Sequence, residues 1–202
     1  VFTIPDIYSD INRSFKWIKN IGFNIINKIS IFIGGSKIDE NYGEWFNIRN
    51  ELSNNNKNEN FDYMVGNTKD LYDPPNAPGN NGRYPEKNKN SDIIPSIQGR
   101  TIYVPLIFWF NRNPSLALPL IALQYHPVQI NIEIKKIADL YTVIDINNTS
   151  PTYGSRIKPL TTIDNYSRYY SLQNFVNDES ITTGTGISTS LKNFTIDPLL
   201  RV

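Results

Sequence analysis

Val128-Gln-Ile-Asn-Ile-Glu-Ile-Lys135 alternates apolar and polar side chains without a break. A period of two puts Val128, Ile130, Ile132 and Ile134 on one face of a strand and Gln129, Asn131, Glu133 and Lys135 on the other. Ile29, Ile31 and Ile33 alternate with Ser30 and Phe32 in the same way, and Gly34-Gly35 then turns the chain.

Working outward, Ile102 to Phe110 is apolar on both faces, which predicts a strand covered on both sides. Pro105 within it lacks a donor and implies an edge position or a bulge. Asn111-Arg-Asn-Pro-Ser115 reads as a turn, and Leu116–Leu123 is ambiguous, with Pro119 placed to open a helical turn. Upstream, Asn41 and Glu44 have capping-box spacing, and Tyr42, Trp45, Phe46 and Leu52 share a face at helical spacing. A short helix over 42–52, packed on the sheet, is predicted.

Two stretches carry a different composition. Residues 53–98 hold an Asn-rich run at 54–60 and stacked turn signals at 73–82, and 136–192 is rich in Asn, Thr, Ser and Tyr. Both are predicted as long loops, which in a compact domain are functional or disordered. Phe194, Ile196 and Leu199 suggest one further strand. The predicted fold is mostly β, with two long loops and a short helix.

Composition narrows the chemistry. The 202 residues include 20 Lys+Arg against 19 Asp+Glu, a net charge of +1, which gives no long-range field for nucleic acid or anionic membranes. The absence of cysteine excludes a disulfide scaffold, a thiolate zinc site and a cysteine nucleophile. A single histidine excludes a multi-histidine metal site. The 29 Ile and 27 Asn suit many strands joined by polar loops, a bias that an AT-rich genome also produces. No apolar stretch reaches the eighteen or so residues of a membrane span. The start at Val1, without methionine, suggests a processed or trimmed polypeptide.

Each candidate site has a blander reading. His126 is the one conventional general base, but no nearby serine or acid orients it, and a hydrogen-bonded structural histidine is expected. Asp39, Glu40 and Glu44 form an acidic cluster that calcium or acid–base chemistry would use, and helix capping accounts for Glu44 without a ligand. Thr183-Gly-Thr-Gly186 lacks the full spacing of a phosphate-binding loop. Tyr166, Tyr169 and Tyr170 beside Arg168 form a possible sugar or base platform, with an interface or loop-anchoring role preferred. Asn12, Asn147, Asn148, Asn165 and Asn193 head Asn-x-Ser/Thr triplets, which become glycan sites only on a secretory route. No catalytic, cofactor or metal residue is assigned.

One long stretch is more specific. Tyr103-Val-Pro-Leu-Ile-Phe-Trp-Phe-Asn-Arg-Asn-Pro-Ser-Leu-Ala-Leu-Pro-Leu-Ile-Ala-Leu-Gln-Tyr-His126, continuing through Pro127 to Ile134, closely resembles the signature of the major capsid proteins of large nucleocytoplasmic DNA viruses. Ile29–Asp39 followed by Tyr42-Gly-Glu-Trp-Phe46 resembles a second family stretch, in the expected order. The resemblance implies an all-β, antiparallel jelly-roll sandwich, with residues 1–202 an incomplete N-terminal jelly roll of a double-jelly-roll polypeptide. It implies a homotrimeric, pseudo-hexagonal capsomer tiling an icosahedral shell in the virion, assembled in the host cytoplasm. Partners would be neighbouring capsomers and minor capsid proteins, the latter reaching any inner membrane, with glycans possible and no direct nucleic-acid contact.

On the same basis, outer strands and a second jelly roll are expected outside this segment, and the position after His126, commonly acidic in the family, is Pro127 here. Expected core residues are Ile31, Ile33, Trp45, Phe46, Phe108, Phe110, Leu120, Leu123, Ile130 and Ile132. The rival class is a jelly-roll carbohydrate-binding protein using the 166–170 tyrosines; a metal-dependent cupin-type enzyme is disfavoured by the single histidine.

Overall fold

The computed structural model describes residues 1–9, 14–53, 59–84, 95–119, 121–159 and 170–176. Its strands are β1 (Phe2–Ile4), β2 (Phe15–Trp17), β3 (Ile26–Ile33), β4 (Ser36–Tyr42), β5 (Arg100–Ile102), β6 (Val128–Ile134), β7 (Tyr141–Ile144) and β8 (Arg156–Ile157). The helices are α1 (Ile21–Asn24), α2 (Gly43–Ser53), α3 (Glu59–Val65), α4 (Lys69–Tyr72) and α5 (Gln173–Val176). All strand pairs are antiparallel, in three small sheets ordered β1-β5, β2-β7-β8 and β4-β3-β6.

The alternating stretches make the largest sheet. β3 pairs with β6 so that Ile31 faces Ile130 and Ile29 faces Ile132. Gly34 and Gly35 have φ of 57° and 85°, the positive values that a two-residue hairpin turn needs to match strand twist. β4 follows, a largely exposed strand to which the sequence reading assigns no element, apart from Tyr42, which it gives to the helix. A register shift between Ile31 and Phe32 marks a bulge in the β3–β4 pairing.

One core joins the sheets. Phe15, Trp17, Tyr141 and Phe175 form its aromatic centre, with Phe15 stacked on Tyr141 at 4.8 Å and edge-on to Trp17 at 4.9 Å. Phe23 and Phe46 pack at 6.0 Å and fasten α1 to α2.

Several expectations need correction. The long strand over 102–110 is strand only through Ile102: Pro105 has no N–H to extend a ladder, and the Tyr103 N–H bonds the Met64 carbonyl at 2.9 Å. Trp109–Asn111 closes into a 3₁₀ turn, although Phe108 is buried as expected. Residues 53–98 carry α3 and α4, because Phe61, Met64, Val65 and Leu71 place apolar side chains toward the core. In 136–192, β7 lies in the core, with Leu140, Tyr141 and Val143 buried.

The helix over 42–52 forms, but its apolar face is turned outward. Gly43 and Phe46 are buried, whereas Tyr42, Trp45 and Leu52 are exposed at 50, 41 and 71%. Asn41 belongs to β4 and donates its side-chain N–H to Asp39, so no capping box starts α2. Among the expected core residues, Ile31, Phe46 and Phe108 are buried, while Ile33, Phe110, Leu123, Ile130 and Ile132 are half-buried. Leu120 and the strand expected at Phe194–Leu199 lie outside the described residues.

Candidate assembly surface

The acidic cluster of β4 and α2 is divided among separate partners. Asp39 accepts the Glu40 N–H at 2.8 Å. Glu40 accepts the Tyr42 hydroxyl at 2.8 Å, Lys37 at 3.0 Å and Ser30 at 3.2 Å, and these donors, Tyr42 foremost, hold its carboxyl down at about 2. The same contact raises the Tyr42 phenol. Glu44, in the first turn of α2 where an anion suits the helix dipole, accepts Lys135 Nζ at 2.5 Å, and its carboxyl is lowered by that bond. Three acids satisfied in three directions do not converge on one ligand. Among the described residues no three His, Asp or Glu side chains gather as a metal site.

His126 is exposed. Its backbone N–H bonds the Leu123 carbonyl at 3.0 Å, and its ring lies over the Gly34 turn, where a Cβ on Gly34 would meet Nδ1 at 2.8 Å. No side chain among the described residues hydrogen-bonds that ring. Among the described residues, the ring thus rests against a side-chain-free turn rather than on a hydrogen-bond partner.

Tyr170 is buried at 6% exposure and closed to a sugar ring. Its hydroxyl donates to Asp145 at 2.5 Å and receives the Ile146 N–H at 3.0 Å. Asp145, itself buried, also accepts the Thr152 hydroxyl at 2.6 Å and the Asn147 N–H at 2.9 Å. Burial pushes this carboxyl up, but the donors from Thr152, Tyr170, Ser150 and Asn147 outweigh it and hold the group well below the usual carboxylate range. Tyr170 thus anchors its loop, one of the two roles, interface or loop anchor, expected of the tyrosine group. Tyr166, Arg168, Tyr169, Thr183–Gly186, Asn12, Asn165 and Asn193 lie outside the described residues. Asn147 binds Thr149 through its Oδ1, at 3.0 Å from the N–H and 2.7 Å from the hydroxyl, and Asn148 is exposed.

What points outward is apolar. Trp45, Ile48 and Leu52 line one stripe of α2, at 41, 52 and 71% exposure. Leu116, Ile121 and Tyr125, in the segment between the 3₁₀ turn and β6, are exposed at 47, 93 and 84%. Beside the α2 stripe, Arg49 holds a buried Nη1 with no acceptor among the described residues; burial and the neighbouring Arg112 charge both push its guanidinium below its ordinary value. The described sheet β4-β3-β6 leaves the outer edges of β4 and β6 unpaired. Unpaired edges and outward apolar side chains are the chemistry of contact with other protein. Neither Arg49 nor Asp145 was singled out in the sequence. Asp145 carried a signal there, a lone acid between Ile144 and Ile146, and Arg49 carried none.

The described residues thus form a mostly antiparallel β module with apolar side chains turned outward. The family model described as "Major capsid protein N-terminus" matches residues 2–180, and the chain belongs to that family. It is 37% identical over 156 residues to a major capsid protein of Phaeocystis pouchetii virus, covering 73% of this chain and 30% of that protein. It is 39% identical over 131 residues to capsid protein 1 of Acanthamoeba polyphaga mimivirus, covering 65% of this chain and 21% of that protein. The chain thus spans less than a third of either relative's length. Among solved structures, a quasi-atomic model of the PBCV-1 virus capsid matches with a TM-score of 0.44 and 26% identity, covering 66% of this chain and 26% of that one.

Proposed function

We propose that this chain is part of the N-terminal jelly roll of a double-jelly-roll major capsid protein. The protein works by self-assembly rather than catalysis, as a trimeric, pseudo-hexagonal capsomer of an icosahedral virion shell. The observation that carries this reading is the family match across residues 2–180. The outward apolar side chains, and the edges of the β4-β3-β6 sheet left open among the described residues, support it, because such surfaces suit contact with neighbouring protein. Its partners are further copies of itself, neighbouring capsomers and minor capsid proteins, and assembly takes place in the host cytoplasm. The carbohydrate-binding alternative draws no support from Tyr170, whose ring and hydroxyl are engaged inside the fold.

Light scattering on the full-length gene product, under native and then denaturing conditions, tests the reading. The expected result is a particle of three chains, each well over the 23.2 kDa of this segment. A monomer at all concentrations overturns it.

A further inference from the structure

Asn81-Gly82 is the one Asn-Gly pair in the sequence, and it stands at the tip of an exposed turn. The Arg83 N–H donates to the Asn80 carbonyl at 2.8 Å, so residues 80–83 close a β-turn. Asn81 and Gly82 have φ of 47° and 75°, the paired positive values of a type I′ turn, which Asn-Gly suits well. Both residues are exposed, and a Cβ built on Gly82 would meet nothing within 4 Å.

That turn leaves two reactive groups side by side. Among the described residues, the Asn81 side-chain amide engages no partner, and neither does the Gly82 N–H. The backbone nitrogen that follows an asparagine can reach its Cγ by closing a succinimide ring, and glycine puts no side chain in the way. Other asparagines are held differently. The Asn76 amide donates to Asp73 at 2.7 Å, the Asn80 amide donates to the Pro74 carbonyl, and Asn147 Oδ1 accepts from Thr149. Each of these is followed by a residue with a side chain, namely Ala77, Asn81 and Asn148.

We propose that Asn81-Gly82 is a self-modifying site, at which the folded protein converts asparagine to isoaspartate without an enzyme and so loosens the Tyr84 anchor. The Gly82 nitrogen gives up its proton and bonds to Asn81 Cγ. The Cγ–Nδ2 bond breaks, and the amide nitrogen leaves as ammonia, carrying that proton. Solvent water then opens the ring. Breaking the new C–N bond gives aspartate, and breaking the original peptide bond gives isoaspartate. No electrons change hands. Isoaspartate routes the main chain through the side-chain carbons, which lengthens the turn and sets a carboxylate beside it, so the contact from Asn80 to Arg83 no longer closes. Tyr84 comes next in the chain; it is buried, and its hydroxyl engages both Ser14 and the Phe15 carbonyl at 2.8 Å. A slackened turn therefore frees the side chain that ties this segment to β2. The inference concerns the chemistry of the polypeptide and stands apart from the assembly reading.

The test ages the full-length protein in warm, mildly alkaline buffer and maps its peptides. The peptide holding Asn81 is expected to gain the mass of an amide-to-acid exchange and to split into two chromatographic species, one labelled by an isoaspartate-specific methyltransferase. Its conversion is expected to run at least about tenfold faster than that of Asn76 or Asn147. Asn81→Gly removes the amide and keeps a residue at ease with positive φ, so no conversion is expected at position 81. On ageing, the wild type is expected to melt at a lower temperature, whereas Asn81→Gly holds its own. Conversion at Asn81 no faster than at Asn76 and Asn147 overturns the site. Conversion that leaves aged wild type as stable as the fresh protein overturns the link to Tyr84. Both readings are independent of whether the chains associate.

Discussion

Tyr170 donates its hydroxyl to the buried carboxylate of Asp145 at 2.5 Å, while its own carbonyl accepts the Tyr141 hydroxyl at 2.8 Å. The pair ties the segment before α5 to both ends of β7. Burial, only partly offset by a backbone hydrogen bond at Leu172, raises the Tyr141 phenol to about 12, consistent with a ring that packs inward and stays neutral.

Asp145 makes the fold acid-sensitive in a defined direction. Its folded-state pKa lies below the unfolded value of about 4, so its stabilisation is complete above that value and drains as pH falls toward the folded one. Asp145→Asn is expected to cost about 1–3 kcal/mol at neutral pH and to lose less on acidification than the wild type. Thermal melts from pH 7 to 2 compare the two proteins. Glu40, Glu44 and Asp73, also depressed, titrate in both and cancel in the difference. Profiles that stay parallel across the range would show that Asp145 is not the source.

On α2, adjacent aromatic residues should part company. Phe46→Ala and Phe108→Ala each remove a buried ring and are expected to cost about 3–5 kcal/mol in denaturant unfolding. Trp45→Ala, at the half-exposed neighbouring position, is expected to cost under about 1 kcal/mol. Equal losses at positions 45 and 46 would mean that α2 turns a different face to the core.

Gly43 is needed for closeness. A Cβ there would sit 2.1 Å from the Ile26 carbonyl oxygen and 2.6 Å from that of Phe23, both backbone atoms that cannot step aside. Gly43→Ala is expected to cost about 3 kcal/mol or more and to loosen α2 from α1. At Gly79, whose φ is +88° in open space, the same substitution meets only the left-handed penalty of about 1–2 kcal/mol. Melting temperatures of the two variants supply the comparison, and a tolerant Gly43 would contradict the packing.

Tyr84 bridges distant segments through one oxygen, which shares a hydrogen bond with the Ser14 hydroxyl at 2.8 Å and donates to the Phe15 carbonyl at 2.8 Å. Arg156 closes the group by donating to Ser14. Tyr84→Phe keeps the ring and is expected to cost about 1–2 kcal/mol. Loss of stability no greater than that of an exposed Tyr153→Phe control would dismiss the bridge.

The sequence disclosed strands where one face is buried and the other wet. β3 and β6 were legible because Ile and polar residues alternate along them, and the Gly34-Gly35 turn because only glycine adopts both of its backbone angles cheaply. β1 and β2, three residues each, are too short for a period to register, and β7 was obscured by the polar sequence around it. α2 was located by its spacing but given the wrong orientation. Periodicity places apolar residues on a common face without saying whether that face meets this chain or another. The same ambiguity hid Arg49, whose meaning depends on its missing acceptor.

The pairing register has a consequence for how the chain reaches this state. Phe2 meets Ile102, and Phe15 meets Val143, so both N-terminal strands find their partners more than ninety residues downstream. At ribosomal rates of roughly 5–20 residues per second, β1 and β2 are made some 5 to 25 seconds before the segments that cover them. During that interval Phe2, Ile4, Phe15 and Trp17, all buried in the end, lack the strand partners that help to cover them. High contact order of this kind slows folding and lengthens the exposure of these few side chains to aggregation while the rest is being synthesised.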